Sequence, residues 1–291
     1  MIINTFNEES IYDSISELIG IKKEILKYFI LKHGRKYSKE EFIKSQNIFI
    51  HLELFLKENQ ILNNMDFKKI NEVTINHLTT RMGPIESIKQ EPLYNLFEAL
   101  LEKTTLNKFM KDKGFNFEFR GGRLITLFDS RIIDWTAYYD GEEDARARMI
   151  NSRLQEGGSR GVVDKCVNGF LLNGQIYKHT EVAHIERMPE IIEDMFEVLD
   201  IKNAIQEWSE ESQPYIITFK QKVENIVFDQ FNRSKLNNEQ KKFLILKYCL
   251  YFLTCVRHGT WREEKNLIIR LKDEISVPIS DIKEVTLIEN H

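Results

Sequence analysis

Apolar residues first recur at helical spacing. Between Ile11 and Leu31 they fall at Ile15, Leu18, Ile19, Ile25, Leu26, Phe29 and Ile30, which predicts an amphipathic helix ended by Gly34. Ser38-Lys39-Glu40-Glu41 has the form of a capping box, in which Ser38 accepts from the N–H of Glu41 and Glu41 reaches back. A second helix is expected from there through Phe42, Phe49, Leu52 and Leu56 to about Asn59. Residues 1–68 therefore read as a helical module, suited to covering one face of a later sheet or to docking a partner.

The pattern changes at Thr74. Thr74-Ile75-Asn76-His77-Leu78-Thr79-Thr80-Arg81 is rich in β-branched residues and predicts a short strand. It ends in a histidine and two hydroxyls, just before a Gly83-Pro84 breaker. Pro84 suits the first turn of a helix; the helical pattern breaks at Pro92 and resumes through Leu93, Leu96, Phe97, Leu100 and Leu101. Leu106, Phe109 and Met110 mark a further short helix, with Gly114 past its end. Phe115 to Phe119 alternates with period two, Arg120-Gly121-Gly122-Arg123 turns the chain, and Leu124 to Phe128 returns, which predicts a hairpin.

The second half reads in the same way. Glu142 to Leu154 is a polar helix, followed by a glycine-rich loop at residues 157, 158 and 161. Val167 to Leu172 is a buried strand, and Asn173-Gly174 is a strong turn signal, so Gln175 to Thr180 is expected to return beside it. Pro189 opens a helix through Leu199. Pro214 to Lys220 is a strand and Asn225 to Phe231 another; Asn238 is placed to cap a long helix over Glu239 to Arg257, with Gly259 beyond it. Helices and strands do not alternate regularly. The expected class is α+β: an N-terminal helical module (1–68) followed by a domain (69–291) built on a largely antiparallel sheet.

Composition narrows the function classes. Of the 291 residues 42% are hydrophobic, enough for a real core. The net charge of −4 counts against a dedicated duplex-DNA binder and leaves room for a local basic groove. The longest apolar run, Phe243 to Val256, contains Lys247 and is too short to span a bilayer. Three scattered cysteines, Cys166, Cys249 and Cys255, and the lack of a signal-peptide pattern make a reducing, cytoplasmic setting the expectation.

The local motifs carry little chemistry. His179-Thr180-Glu181-Val182-Ala183-His184 has two histidines and a carboxylate, but their spacing suits neither a strand face nor the helical zinc motif, so no metal is expected. No Gly-x-Ser-x-Gly elbow occurs, nothing ties Cys166 to a histidine, and the glycine loop lacks the Lys-Ser or Lys-Thr of a phosphate loop. The arginines around residues 120–160 keep a nucleic-acid-processing role open. His77 by itself reads more readily as an ordinary strand-end histidine than as a ligand contact.

A wider constellation gives His77 more meaning. The strand ending His77-Leu78-Thr79-Thr80 precedes a helix with Ile85 and Ile88. Later come Gly169-Phe170-Leu171-Leu172, the Pro214–Lys220 strand, and Glu263-Glu264-Lys265-Asn266-Leu267-Ile268-Ile269 followed by Val277-Pro278-Ile279-Ser280-Asp281-Ile282. In this order the layout resembles the H-type ADP-ribosyltransferase superfamily, the branch of poly-ADP-ribose polymerases and diphtheria-like toxins. The resemblance implies a split β-sheet domain over residues 70–290 that takes NAD as substrate. It implies transfer of ADP-ribose to a macromolecular acceptor, whether protein, RNA or DNA, in a toxin or anti-phage defence effector with a possible inhibitory protein partner.

Carried onto this chain, the resemblance makes Glu264 the carboxylate that steadies the oxocarbenium-like sugar. His77 would hold a ribose hydroxyl, flanked by Leu78 and Thr79, and Phe170 or Tyr177 would stack on the nicotinamide. The chain departs from the family at one position. The glutamate that usually stands directly before the last hydrophobic strand is replaced by Asn266, with Glu264 two residues upstream on the same strand face. An inactive nucleotide-binding or protein-interaction module is the alternative.

Overall fold

The computed structural model describes residues 1–37, 47–61, 66–156, 165–174, 176–178, 188–228 and 236–289. In chain order its elements are β1 (Ile2–Ile3), α1 (Glu8–Ile19), α2 (Lys23–Tyr37), α3 (Asn47–Glu58), β2 (Glu72–Met82), α4 (Ile85–Ile88), α5 (Leu96–Leu101) and α6 (Thr105–Asp112). They continue with β3 (Phe115–Arg120), β4 (Arg123–Phe128), β5 (Arg131–Ile132), α7 (Asp144–Asn151), β6 (Asn168–Phe170), α8 (Glu190–Val198) and α9 (Lys202–Glu211). The last are β7 (Ser212–Lys222), β8 (Ile226–Phe228), α10 (Asn238–Arg257), β9 (Ile268–Leu271) and β10 (Ile282–Leu287). The fold is a mixed helix-and-strand one with antiparallel sheet pairing, as expected of the α+β class.

The chain divides into two compact units whose segments interleave. The first takes Met1–His77, Asn168–His179 and Thr218–Arg270; the second takes Leu78–Val167, Thr180–Ile217 and Leu271–His291. The helices of the expected N-terminal module belong to the first unit, together with two later segments.

The first unit is built around α10. Asn237 and Gln240 close a capping box at its start, one residue before the expected cap, because only from position 237 does a Gln fall at the reciprocating third helical position. The helix is buried on nearly every side from Leu244 to Cys255, as expected of a helix that is apolar all round. α1, α2 and α3 pack on it. The single helix expected over residues 11–31 is two helices. Gly20 adopts φ 76°, and its N–H and that of Ile21 turn back to the carbonyl of Ser16, which stops α1. Gly34 lies inside α2, where a Cβ would come within 3.1 Å of Thr254 and 3.2 Å of His258 on α10. It ends no helix but permits a close approach of two. The Ser38–Glu41 capping box lies outside the described residues.

Beside these helices lies a sheet in the order β7–β2–β6–β9–β8, with β1 parallel to β2. β6 is antiparallel to both its neighbours, with Asn76 opposite Phe170 and Phe170 opposite Ile268. The pairs Lys220–Glu72 and Thr218–Asn76 run the two chains β7 and β2 in opposite directions. The hairpin expected from Asn173-Gly174 does not form as read: residues 176–178 make a 3-10 turn. Gly174 is in close contact with Phe252 and Trp261, so packing against aromatic rings, and not a two-residue β-turn, accounts for the glycine.

The second unit contains a compact apolar cluster built from α5 to α9 and the three-stranded sheet β3–β4–β5. The hairpin Phe115–Phe128 forms as read, in register from Phe115↔Phe128 to Arg120↔Arg123, with Gly121 and Gly122 both at positive φ, the backbone such a tight turn requires. Phe115, Phe109, Phe196 and Trp208 meet edge to face. The continuations of β2 and β7 also lie in this unit, beside β10. The indole of Trp208 donates to the Thr80 hydroxyl at 3.2 Å.

Candidate functional site

The three segments that carry the sequence constellation become neighbours in the first unit. His77 lies on β2, Gly169-Phe170 on β6, and Glu264–Asn266 immediately before β9, and the strand order is β2–β6–β9. About a hundred residues of chain separate each from the next. β2 is longer than expected, from Glu72 to Met82, so His77 sits in mid-strand and not at its end.

His77 is half-buried. Its Nδ1 lies 2.6 Å from the carbonyl of Asn168. A carbonyl only accepts, so Nδ1 carries the proton, which fixes both tautomer and ring plane. The residue opposite, Gly169, has no room for a side chain. A Cβ there would stand 2.6 Å from Ile75 Cγ2 and 2.9 Å from the Asn76 carbonyl. The glycine brings β6 close enough to β2 for the Asn168 carbonyl to reach the ring.

Side chains alternate along a strand, and directly paired residues share a face. Asn76 pairs with Phe170, so Phe170 lies on the face opposite His77. The buried Phe170 ring, offered with Tyr177 for the nicotinamide face, lies on the other side of the sheet from His77. Tyr177 is half-buried on the 3-10 turn, and not on a returning strand. Leu78 and Thr79 are buried in the second unit, and the Thr79 hydroxyl donates to the Thr80 carbonyl at 3.3 Å.

The Glu264 segment is a 3-10 turn, Glu263–Lys265, and not the strand entrance expected. Glu264 is exposed there. Asn266 is fully buried. Its Oδ1 accepts from Leu172 N at 3.1 Å and its Nδ2 donates to Leu172 O at 2.7 Å. The amide thus continues the β6–β9 ladder by one rung after Leu171 N–H reaches Leu267 O. A glutamate carries no donor for the Leu172 carbonyl. Asparagine at this position acts as a clamp between strands, and the amide expected as a cofactor contact is engaged with Leu172. The neighbouring Lys265 donates to the Tyr251 hydroxyl at 2.9 Å, and Trp261 packs edge-on to Phe252 at 4.8 Å, which anchors the turn on α10.

Three further buried polar residues escaped the sequence reading. Asn76 accepts from the Thr218 hydroxyl at 2.8 Å and donates to Leu171 O at 3.2 Å, tying β7, β2 and β6 together. Thr5 and Thr74 clasp one another through side chain and backbone at 2.7 and 2.9 Å. The signal for Asn76 was present: asparagine is depleted from strands, yet here it stands between Ile75 and His77 in an apolar run.

The cysteines are all buried, and burial pushes the Cys249 thiol up, away from the thiolate a nucleophile needs. Among the described residues no group of three or more His, Cys, Asp or Glu side chains is placed to hold a metal ion. The His179–His184 segment and the 157–161 glycine loop lie outside them. No helix of the described residues is long and apolar enough to cross a membrane. No protein-family model, curated protein or solved structure matches the chain.

Proposed function

We propose that the chain is an ADP-ribosyltransferase-like protein that binds NAD along the β2–β6–β9 strands and transfers ADP-ribose to a macromolecular acceptor. One observation carries the reading: three short motifs far apart in sequence lie on, or just before, adjacent hydrogen-bonded strands, in the order His strand, Gly-Phe strand, Glu264 turn leading into β9. In the proposed reaction the bond between nicotinamide and ribose C1′ breaks, neutral nicotinamide leaves, and an acceptor nucleophile bonds to C1′ and loses its proton to Glu264 or water. His77, held by Asn168, would fix a ribose hydroxyl. The Glu264 carboxylate would lower the energy of the positive sugar. Tyr177 remains the aromatic candidate for the nicotinamide face.

A second reading, an NAD- or nucleotide-binding module without transfer, is favoured by Asn266. The position next to β9 holds no charge, and its amide is engaged with Leu172.

One experiment decides between them. The protein is incubated with NAD labelled in its nicotinamide and adenine moieties, with protein, RNA and DNA acceptors, and NAD binding is followed by calorimetry. The transferase reading expects nicotinamide release that falls about 100-fold in Glu264→Gln, with binding retained, and weakened binding in His77→Ala. Release from wild type with no acceptor class overturns it. Binding without release, abolished by His77→Ala, establishes the second reading.

A further inference from the structure

The seam between α2 and α3, inside the first unit, holds two histidines among aromatic rings. Phe29 stacks on the His33 ring at 5.4 Å and 26°, and Phe55 of α3 meets the same ring at 5.6 Å. Phe29 and Phe55 lie 5.4 Å from each other. One turn further along α2, Tyr37 meets His51 at 5.5 Å. As α2 advances the contacts step backwards along α3, so the helices are antiparallel. Near the start of α3, Phe49 packs on Phe243 of α10 at 4.9 Å.

His33 Nε2 is buried and has no hydrogen-bond partner. A neutral imidazole has one ring nitrogen that carries only a lone pair, and a buried acceptor left unmet is a milder fault than a buried N–H left unmet. With the lone pair on Nε2 the ring proton is on Nδ1, so a second proton must go to Nε2. It would form a charged donor there with no acceptor. The Phe29 and Phe55 rings attract a cation through their faces, but a ring face leaves the N–H at the imidazole edge unmet.

The neighbouring charges do not offset this. α2 itself carries Lys32, Arg35 and Lys36, and α3 carries His51 and Lys57 against Glu53 and Glu58. Burial is the largest effect against a proton on His33; Lys32 and His51 add to it and Glu58 opposes them. On α10, His258 Nε2 lies 3.4 Å from the Ile30 carbonyl, and the buried Lys247 stands two turns before Thr254 on the same stripe. On α1, Glu9 and Asp13 are held by Lys23 and Lys27. His33 therefore binds its proton less tightly than an ordinary histidine, at 6.5, does.

We propose that His33 makes the α2–α3 seam acid-sensitive: a proton taken up on its Nε2 in mild acid loosens the C-terminal half of α3 from α2 and bares the buried Leu52, Phe55 and Leu56. Phe49 stays on Phe243, so the start of α3 remains attached to α10. A histidine that holds its proton less tightly when packed contributes its packing fully above the ordinary 6.5 and loses it as pH falls through the depressed value.

The test uses the full chain. Amide hydrogen exchange, corrected for the intrinsic rate, is compared at about pH 7.5 and about pH 5, and the wild-type His33 ring is titrated by NMR. His33 is expected to titrate below 6.5. Exchange in residues 51–58 is expected to rise at least about threefold in acid relative to α10, with residues 47–50 following α10. His33→Gln, which carries no charge, and His33→Leu, which keeps the contact apolar, are each expected to remove the rise, whereas His51→Gln keeps it. The proposal is overturned if His33 titrates at or above 6.5, or if wild-type exchange in residues 51–58 is the same at both pH values. It is also overturned if α10 rises equally, if either folded His33 variant keeps the rise, or if His51→Gln abolishes it. Should both His33 variants fail to fold, the wild-type titration and exchange decide the matter by themselves.

Discussion

The ring core of the second unit and the sheet of the first unit that bears the candidate site are held by different materials. In the second unit the core is a herringbone of rings: Phe109 against Trp208 at 5.1 Å, Phe115 against Phe196 at 5.6 Å, both near perpendicular. In the first unit the sheet that bears the candidate site is pinned by buried amides and hydroxyls: Asn76 to Thr218 and Leu171, Asn266 to Leu172, Thr5 to Thr74. Ring packing is non-directional enough to survive an exchange of similar volume. Amide clamps allow no such exchange, since a donor or acceptor left unmade in the interior costs its full desolvation. Register matters most where a site must be assembled from separate strands, because a one-residue slip would turn His77 to the other face. The polar clamps lie in the unit where a slip would matter.

The sharpest way to break this comparison is Gly169→Val set beside Phe196→Leu. The valine would drive branched carbon atoms into Ile75 and into the backbone carbonyl of Asn76, and nothing flexible can move the latter. We expect a loss of more than about 3 kcal/mol in chemical denaturation, with hydrogen exchange accelerated in β6 and β2. Phe196→Leu, in the ring core, is expected to cost about 1–2 kcal/mol. Equal losses would show that the sheet is no more demanding than the ring core.

Asn266→Asp is gentler in shape and tests the clamp by chemistry alone. It removes the donor to Leu172 O and aims a carboxylate oxygen at that carbonyl. The expected cost is about 2–3 kcal/mol, with faster exchange of the Leu172 amide and no gain in NAD turnover. A stable variant that releases nicotinamide would mean that the position is a disabled catalytic site and not a strand clamp.

These particulars also show what could be read from the sequence. The hairpin at Phe115–Phe128 was legible because alternation and a double glycine act within a few residues. α8 was legible because burial of one face imposes periodicity, and α10 because a long apolar run lies between a capping asparagine and Gly259. The break at Gly20 was missed because the apolar pattern runs unbroken through it; the capping hydrogen bonds to Ser16, not hydropathy, end the helix. Asn173-Gly174 looked like a turn, but that glycine is required by Phe252 and Trp261, residues far along the chain. The same limit governs the site. The order of His77, Gly169 and Glu264 in the sequence suggested strands of one domain, and their adjacency came only with the strand order. Only the pairing of Asn76 with Phe170 set Phe170 on the other face, and only long-range contact revealed that Asn266 is bonded to Leu172.

The smallest effect belongs to an ion pair at the edge of that ring core in the second unit. Asp194 on α8 faces Arg146 of α7 at 3.2 Å, with Arg153 bridging Glu190 nearby. Burial pushes its carboxyl from the ordinary 3.8 up to about 6, helped by Glu190 and opposed by Arg146 and Arg153. A carboxyl that holds its proton more tightly when folded adds stability in acid, and that contribution is lost as pH rises through about 6. At pH 7.5 the ionised Asp194 is therefore a net burden on the fold. Asp194→Asn is expected to raise stability there by roughly 1 kcal/mol, after allowing for the lost attraction to Arg146, which retains Glu143. Near pH 4 the gain should vanish, since the native residue is then protonated too. Thermal melts of both proteins at the two pH values measure this directly. A variant that melts lower at pH 7.5 would show that the Asp194–Arg146 pair outweighs its own desolvation. The ring core would then lean on an ion pair at its edge as the sheet leans on its amides.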